Sequence, residues 1–164
     1  GNHISWWDGF IPWMIVKKHS ERSFFLMMDE KQLSKNSFLR RLGAFSIRKN
    51  HRNAVVSLQF AGQILQRKDV ILVIFPQGRF ESMYQHPLRF EKGWYRIMQL
   101  ASPETGLVFM ANLTDYLSHS KPTLRTYISR VAQIPGSPEA AANAYNDFLS
   151  QSLARQQQWA SNNA

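Results

Sequence analysis

The order of apolar and polar segments predicts an α/β fold: a layered, mixed and largely parallel sheet flanked by helices. Three observations lead there. Strand-like and helix-like segments alternate from residue 10 to residue 131. The run Val-Ile-Leu-Val-Ile-Phe at 70–75 is continuously apolar and largely β-branched, as expected of a parallel strand buried on both faces. Between strands, apolar positions recur at helical spacing. In 52–67, for example, Val55, Val56, Leu58, Ala61, Ile64 and Leu65 fall largely on one face.

Each element has a local reason. Residues 10–19 are apolar enough for a partly buried helix, and Ser-Phe-Phe-Leu-Met-Met at 23–28 suits a short internal strand. Residues 30–42 are polar with recurring Leu33, Phe38 and Leu42, and read as one helix that stops at Gly43. A short strand at 44–47, the amphipathic helix at 52–67 and the strand at 70–75 follow. Next come an amphipathic helix at 91–102 and strands at 106–111 and 124–131. The segment 138–164 is a C-terminal helix with proline in its first turn, good alanine propensity to about residue 160, and a Gln- and Asn-rich end that frays. No repeat or low-complexity linker divides the chain. At 164 residues and 44% apolar content, a single domain spanning 1–164 is expected.

Composition narrows the chemistry. The absence of cysteine excludes disulfides, thiolate nucleophiles and cysteine-bound metals. Five scattered histidines without ligand spacing give no reason to expect a metal site, and His19, His51, His86 and His119 read as surface or loop residues. No segment approaches the run of about 20 apolar residues that crosses a bilayer, and no signal peptide is visible. The chain opens on glycine, directly at its most chemical-looking motif, so an N-terminal segment that would hold any membrane anchor is expected to be missing. A net charge of +9, spread over pairs such as Lys17-Lys18 and Arg40-Arg41, suggests phosphate-bearing substrates or acidic lipid headgroups. Nucleic acid is not expected, because no binding motif appears and the basic residues do not alternate with aromatics.

The candidate chemistry sits in three places. His3 and Asp8 offer a general base and a carboxylate to fix its tautomer. On a continuous helix the two would diverge by about 140°, so the pair works only if residues 3–8 turn. The other two places are the loops after strands 44–47 and 70–75, which look like neighbours; open α/β sheets collect ligands at such carboxyl ends. One loop carries Arg48-Lys49-Asn50. The other carries Phe75-Pro76-Gln77-Gly78-Arg79, then Glu81 and Ser82. Gly78 permits a tight turn or close backbone approach, and Pro76 stiffens the loop entry. Arg79 offers a planar fork to phosphate oxygens, or an ion pair to Glu81.

In this order and spacing, the motifs resemble the glycerolipid acyltransferases, which include acylglycerol-phosphate and related lysophospholipid acyltransferases. Asn2-His3 with Asp8 is similar to that family's first motif, and Gly43-Ala44-Phe45-Ser46-Ile47-Arg48-Lys49 to its second. Phe75 to Arg79 resembles the third, usually Phe-Pro-Glu-Gly-Thr-Arg. Arg89-Phe90-Glu91-Lys92-Gly93 resembles a downstream Phe-Lys-x-Gly segment, and Leu107-Val108-Phe109-Met110-Ala111 stands where the fourth motif is expected. The likeness covers roughly residues 2–131. Gln77 replaces the usual Glu, the third motif is one residue short, and the fourth lacks its proline. The basic residue of the second motif falls one place early, so Arg48 and Lys49 both stand for the phosphate ligand.

The resemblance implies a glycerol-3-phosphate acyltransferase-like fold. It also implies acyl transfer from acyl-CoA or an acyl carrier protein to a hydroxyl of a lysophospholipid or glycerol phosphate. His3 and Asp8 would be catalytic, and Arg48, Lys49, Gln77, Gly78 and Arg79 would bind substrate. No cofactor beyond the acyl thioester co-substrate is implied. The enzyme would work at the cytoplasmic face of an anionic membrane, peripherally or through the missing segment. Trp6, Trp7, Phe10 and Trp13 would sit among headgroups, line an acyl channel, or pack around the catalytic turn. A catalytically silent lipid-binding homologue, or an enzyme acting on a glycolipid or pigment hydroxyl, are the alternative readings.

Overall fold

A computed structural model describes residues 1–47, 51–118 and 120–163. The described helices are α1 (Phe10–His19), α2 (Glu30–Lys35), α3 (His51–Ile64), α4 (Gly93–Leu100) and α5 (Pro138–Asn163). The strands are β1 (Ser23–Asp29), β2 (Ala44–Ile47), β3 (Val70–Val73), β4 (Val108–Asp115) and β5 (Thr123–Arg130). β1, β2 and β3 form a parallel sheet in the order β2-β1-β3, with Leu26 opposite both Ala44 and Val73. β4 and β5 pair separately as an antiparallel ladder.

The parallel sheet is covered on both faces, as its apolar strands require. On one face Phe24, Leu26 and Ala44 pack with Val16 of α1, Leu33 of α2 and Leu39. On the other, Val70 packs with Ala61, Ile64 and Leu65 from the α3 region and Ile97 of α4. The ladder has its own core. Phe109, Ala111 and Leu113, alternating along β4, pack with Tyr145 and Leu149 of α5.

Two seams join these layers. The Gly1 nitrogen donates to the Ile74 carbonyl just past β3 (3.2 Å). The Asn2 carboxamide then makes both backbone bonds of Asn112 in mid-β4, its Nδ2 donating to the carbonyl and its Oδ1 accepting from the N–H, each 2.8 Å. Residues 1–2 therefore stitch the sheet to the ladder, and residue 3 follows directly from that seam.

The sequence expectations need adjustment in several places. The single helix expected over 30–42 breaks at Asn36 into α2 and a 3₁₀ turn, Ser37–Leu42. Asn36 leaves helical geometry and turns its side-chain amide back onto the Gln32 carbonyl (3.1 Å), ending the helix. β2 and β3 are not neighbours, because β1 lies between them. β3 pairs only to Val73, and β4 runs four residues beyond the expected end at 111.

Gly43 ends the 3₁₀ turn in the left-handed region at φ 95°, and a β-carbon there would lie 2.0 Å from the Phe24 carbonyl oxygen. The strain of a left-handed L-residue is about 1–2 kcal/mol, before that clash with backbone is relieved. Gly43→Ala is therefore expected to destabilise the fold by at least about 2 kcal/mol. Denaturant titration measures this, and a wild-type midpoint would show that β1 and β2 separate without strain.

Candidate active site

His3 and Asp8 meet because residues 5–8 form a reciprocal cap. Ser5 is extended, and its hydroxyl accepts from the Trp7 N–H (3.1 Å) at the start of a 3₁₀ turn, Trp6–Gly9, that runs into α1. Asp8 answers from the third position. Its Oδ2 accepts from the Ser5 N–H (2.8 Å), the Ile4 N–H (2.6 Å) and His3 Nδ1 (3.1 Å). Its Oδ1 accepts from the Ser5 hydroxyl (3.3 Å). The carboxylate is only 1% exposed, and this ring of donors makes its burial tolerable. A carboxylate only accepts, so His3 Nδ1 carries the proton and Nε2 is the nitrogen left with a lone pair.

The imidazole is held on its faces as well. It stacks on Phe75 with ring centroids 4.4 Å apart and 11° between planes, and lies 4.1 Å from Phe80. Its backbone is fixed from the loop after β3. The His3 N–H donates to Gln77 Oε1 (2.8 Å), and the Glu81 N–H donates to the His3 carbonyl (2.9 Å). Gly78, at φ 66°, turns that loop, and its N–H bonds the Phe75 carbonyl (3.1 Å). The Glu91 N–H closes the far end on the Pro76 carbonyl (2.8 Å). Further along, Asn146 of α5 brackets both backbone groups of Leu88.

Glu81 gathers the loop's polar groups. Gln77 Nε2 donates to its Oε2 (2.9 Å), while Arg79 donates to its Oε1 through Nε (2.9 Å) and Nη2 (2.8 Å). The Gln77 carboxamide, with some help from the Arg79 guanidinium and the charge of Arg89, holds the Glu81 carboxyl below the usual carboxylate range against its partial desolvation.

His3 lines a chamber of about 760 Å³ that runs from the carboxyl ends of the strands, at Asp29 and Ile47, back along the sheet to Phe24, Leu26 and Ala44. Its walls are largely apolar, with Trp13, Leu26, Met28, Phe75 and Trp94 among them, and Arg79 stands on its border. Arg79 also borders a smaller polar hollow of about 350 Å³ with Glu81, Ser82, Gln85 and Arg89.

The fold thus brings together His3, Asp8, Gln77, Gly78 and Arg79. Arg48 and Lys49 lie outside the described residues; Ile47, just before them, lines the same chamber. His19 is exposed, and His86 pairs with Ser150 at the surface (2.8 Å). Ser5 is not among the sequence candidates, although Ser-x-x-Asp is a capping-box pattern. Nor are Phe80, which no local pattern marks as a cover for His3, and Asn112, whose partner is 110 residues away.

A sequence model described as Acyltransferase matches residues 1–116, which include every residue of this site. The chain belongs to the acyltransferase family. No curated protein and no solved structure shows a significant match to it. Among the described residues of this acyltransferase, no helix is long and apolar enough to cross a membrane. Trp6, Trp7 and Met14 nevertheless stand exposed around the start of α1, Trp7 at 64%.

Because the folded Glu81 carboxyl titrates below its ordinary value, its stabilising effect is complete above the carboxylate range and is lost as pH falls through the folded value. The melting-temperature gap between wild type and Glu81→Gln is expected to shrink as pH falls from about 6 to about 3. A gap independent of pH would mean that the Glu81 charge adds nothing to stability.

Proposed function

We propose that the protein transfers an acyl group from a thioester, on coenzyme A or acyl carrier protein, to a hydroxyl of a lysophospholipid or glycerol-phosphate acceptor. The observation that carries this reading is the His3–Asp8 bond, with Nδ1 committed to a buried carboxylate beside an apolar chamber. A base oriented in this way serves acyl transfer to a bound alcohol.

In the proposed step, Nε2 of His3 takes the proton of the acceptor hydroxyl as its oxygen attacks the thioester carbonyl. The C–O bond forms, the tetrahedral intermediate collapses with loss of the C–S bond, and the imidazolium returns its proton to the departing thiolate. Products are an ester and a free thiol. Asp8 stabilises the imidazolium between those events and keeps the ring from turning. No group of the protein becomes acylated.

The chamber is suited to a fatty acyl chain, since its wall is built from the side chains that cover the sheet edge. Arg79 has donors beyond the two engaged with Glu81, and with Arg89 it offers the acceptor phosphate a cationic border. Arg48 or Lys49, next in the chain after Ile47, would supply a further cation.

His3→Ala is expected to lower turnover by at least about 10²-fold, the lower range for a positioned base. Release of free thiol from acyl-CoA in the presence of lysophosphatidate measures it. Near wild-type release by the variant would remove the histidine from the mechanism.

Exposed Trp6, Trp7 and Met14, with Lys17 and Lys18 at the other end of α1, support attachment to an anionic membrane surface. Each cation near such a surface contributes on the order of 1 kcal/mol. The protein is expected to sediment more strongly with vesicles containing phosphatidylglycerol than with pure phosphatidylcholine. Equal sedimentation would leave no electrostatic part in the attachment.

A further inference from the structure

Three hydrogen bonds close a ring through the site. His3 donates its backbone N–H to Gln77 Oε1 (2.8 Å), Gln77 Nε2 donates to Glu81 Oε2 (2.9 Å), and the Glu81 N–H returns to the His3 carbonyl (2.9 Å). The second carboxylate oxygen lies outside the ring and takes both bonds from Arg79. Gln77 is 3% exposed and the Glu81 side chain 10%, whereas the Arg79 side chain is 69% exposed. A guanidinium open to solvent is thus tied, through two enclosed side chains, to the backbone that carries the imidazole.

We infer that Glu81 is a positioning residue, fixing the His3 backbone and the Arg79 guanidinium as one unit, and that position 77 carries an amide because position 81 carries an acid. The donor and acceptor pattern leaves little choice. A glutamate at 77 would still accept from His3, but its other oxygen would meet Glu81 Oε2 at hydrogen-bond distance, and one carboxyl would have to hold a proton. A glutamine at 81 beside Gln77 has one oxygen for two donors on opposite sides, so an N–H meets an N–H either toward Gln77 or toward Arg79. Exchanging the two residues repairs both faults. Glu at 77 accepts from His3 and from the amide at 81, whose oxygen accepts from Arg79.

The activity arm of this inference rests on the proposed acyl transfer. The experiment compares wild type, Gln77→Glu, Glu81→Gln and the double exchange, in thiol release from acyl-CoA with lysophosphatidate and in thermal unfolding. Each single variant is expected to lose about 10-fold or more in kcat/KM, with kcat falling and the acceptor KM rising together, because base and anion ligand move as one. The double exchange is expected to return to within about 3-fold of wild type and to melt closer to it than either single variant. A double variant no better than Gln77→Glu, or one that fails to fold, overturns the inference, as does a Gln77→Glu variant indistinguishable from wild type. If wild type releases no thiol, acyl transfer is what fails. The brace is then judged on melting temperature, where absence of recovery in the double exchange overturns it.

Discussion

Three N–H groups converge on a single oxygen of Asp8, and the rest of the site follows from that convergence. Two of the donors are backbone amides at the mouth of a 3₁₀ turn, and the third is the imidazole of His3. A carboxylate this enclosed would cost many kcal/mol if left alone, and removing one donor strands the charge for the others. The buried carboxylate therefore favours the observed turn over residues 3–8. The turn that satisfies the carboxylate is the turn that brings the histidine back over it. Local capping and orientation of the imidazole are the same set of bonds, so neither can be loosened separately.

The position of that turn in the molecule matters as much as its shape. Gly1 binds just beyond β3 and Asn2 binds the middle of β4, so His3 stands on the seam between the parallel sheet and the ladder. The ladder is fixed from behind by Tyr145 of α5, whose hydroxyl donates to the Met110 carbonyl (2.8 Å) and whose ring packs against Phe109 and Phe148. Burial pushes the Tyr145 hydroxyl pKa far upward, which keeps it a neutral donor throughout the working range. The same helix holds Leu88, on the return of the loop that carries Arg79 and Glu81. A helix remote in sequence thus anchors both walls of the cleft. That is a structural reason for the chain to continue past residue 116, where the family match ends.

Much of this was legible in the sequence because the signals are local. The apolar run at 70–75 gives a strand that pairs as far as Val73, the stripe at 52–67 buries Ala61, Ile64 and Leu65 while leaving Val55 and Val56 exposed, and the glycine after Leu42 ends its turn, each acting within a few residues. The requirement that residues 3–8 turn followed from helix geometry alone. What was not legible depends on distant partners. The separation of β4 and β5 from the parallel sheet depends on residues 1–2 lying between β3 and β4, and no periodicity in 106–131 encodes that. The break at Asn36 shows local chemistry of another kind, in which a side-chain amide competes with the backbone and ends a helix that apolar spacing alone would continue. Gln77 and Arg79 were visible as loop residues. The direct bond of Gln77 to His3, and the link of Arg79 to it through Glu81, needed the loop to fold back across 74 positions.

The pairing of Arg79 with Glu81 changes how charge should be understood at this site. A chain of +9 net charge has cations enough to attract an anionic acceptor from a distance. Close to the chamber, however, one of the two arginines bordering the polar hollow is already matched by a carboxylate. A guanidinium without such a partner would swing on a flexible side chain, and ordering it on each binding event would cost conformational entropy. The carboxylate gives up some attraction in return for a fixed fork. In the proposed reaction, selection among acceptors would depend less on how much negative charge arrives than on whether phosphate oxygens meet that fork while a hydroxyl reaches His3. On that proposal the spacing between phosphate and hydroxyl in the acceptor would be the quantity the site measures, with Glu81 setting one end of the ruler.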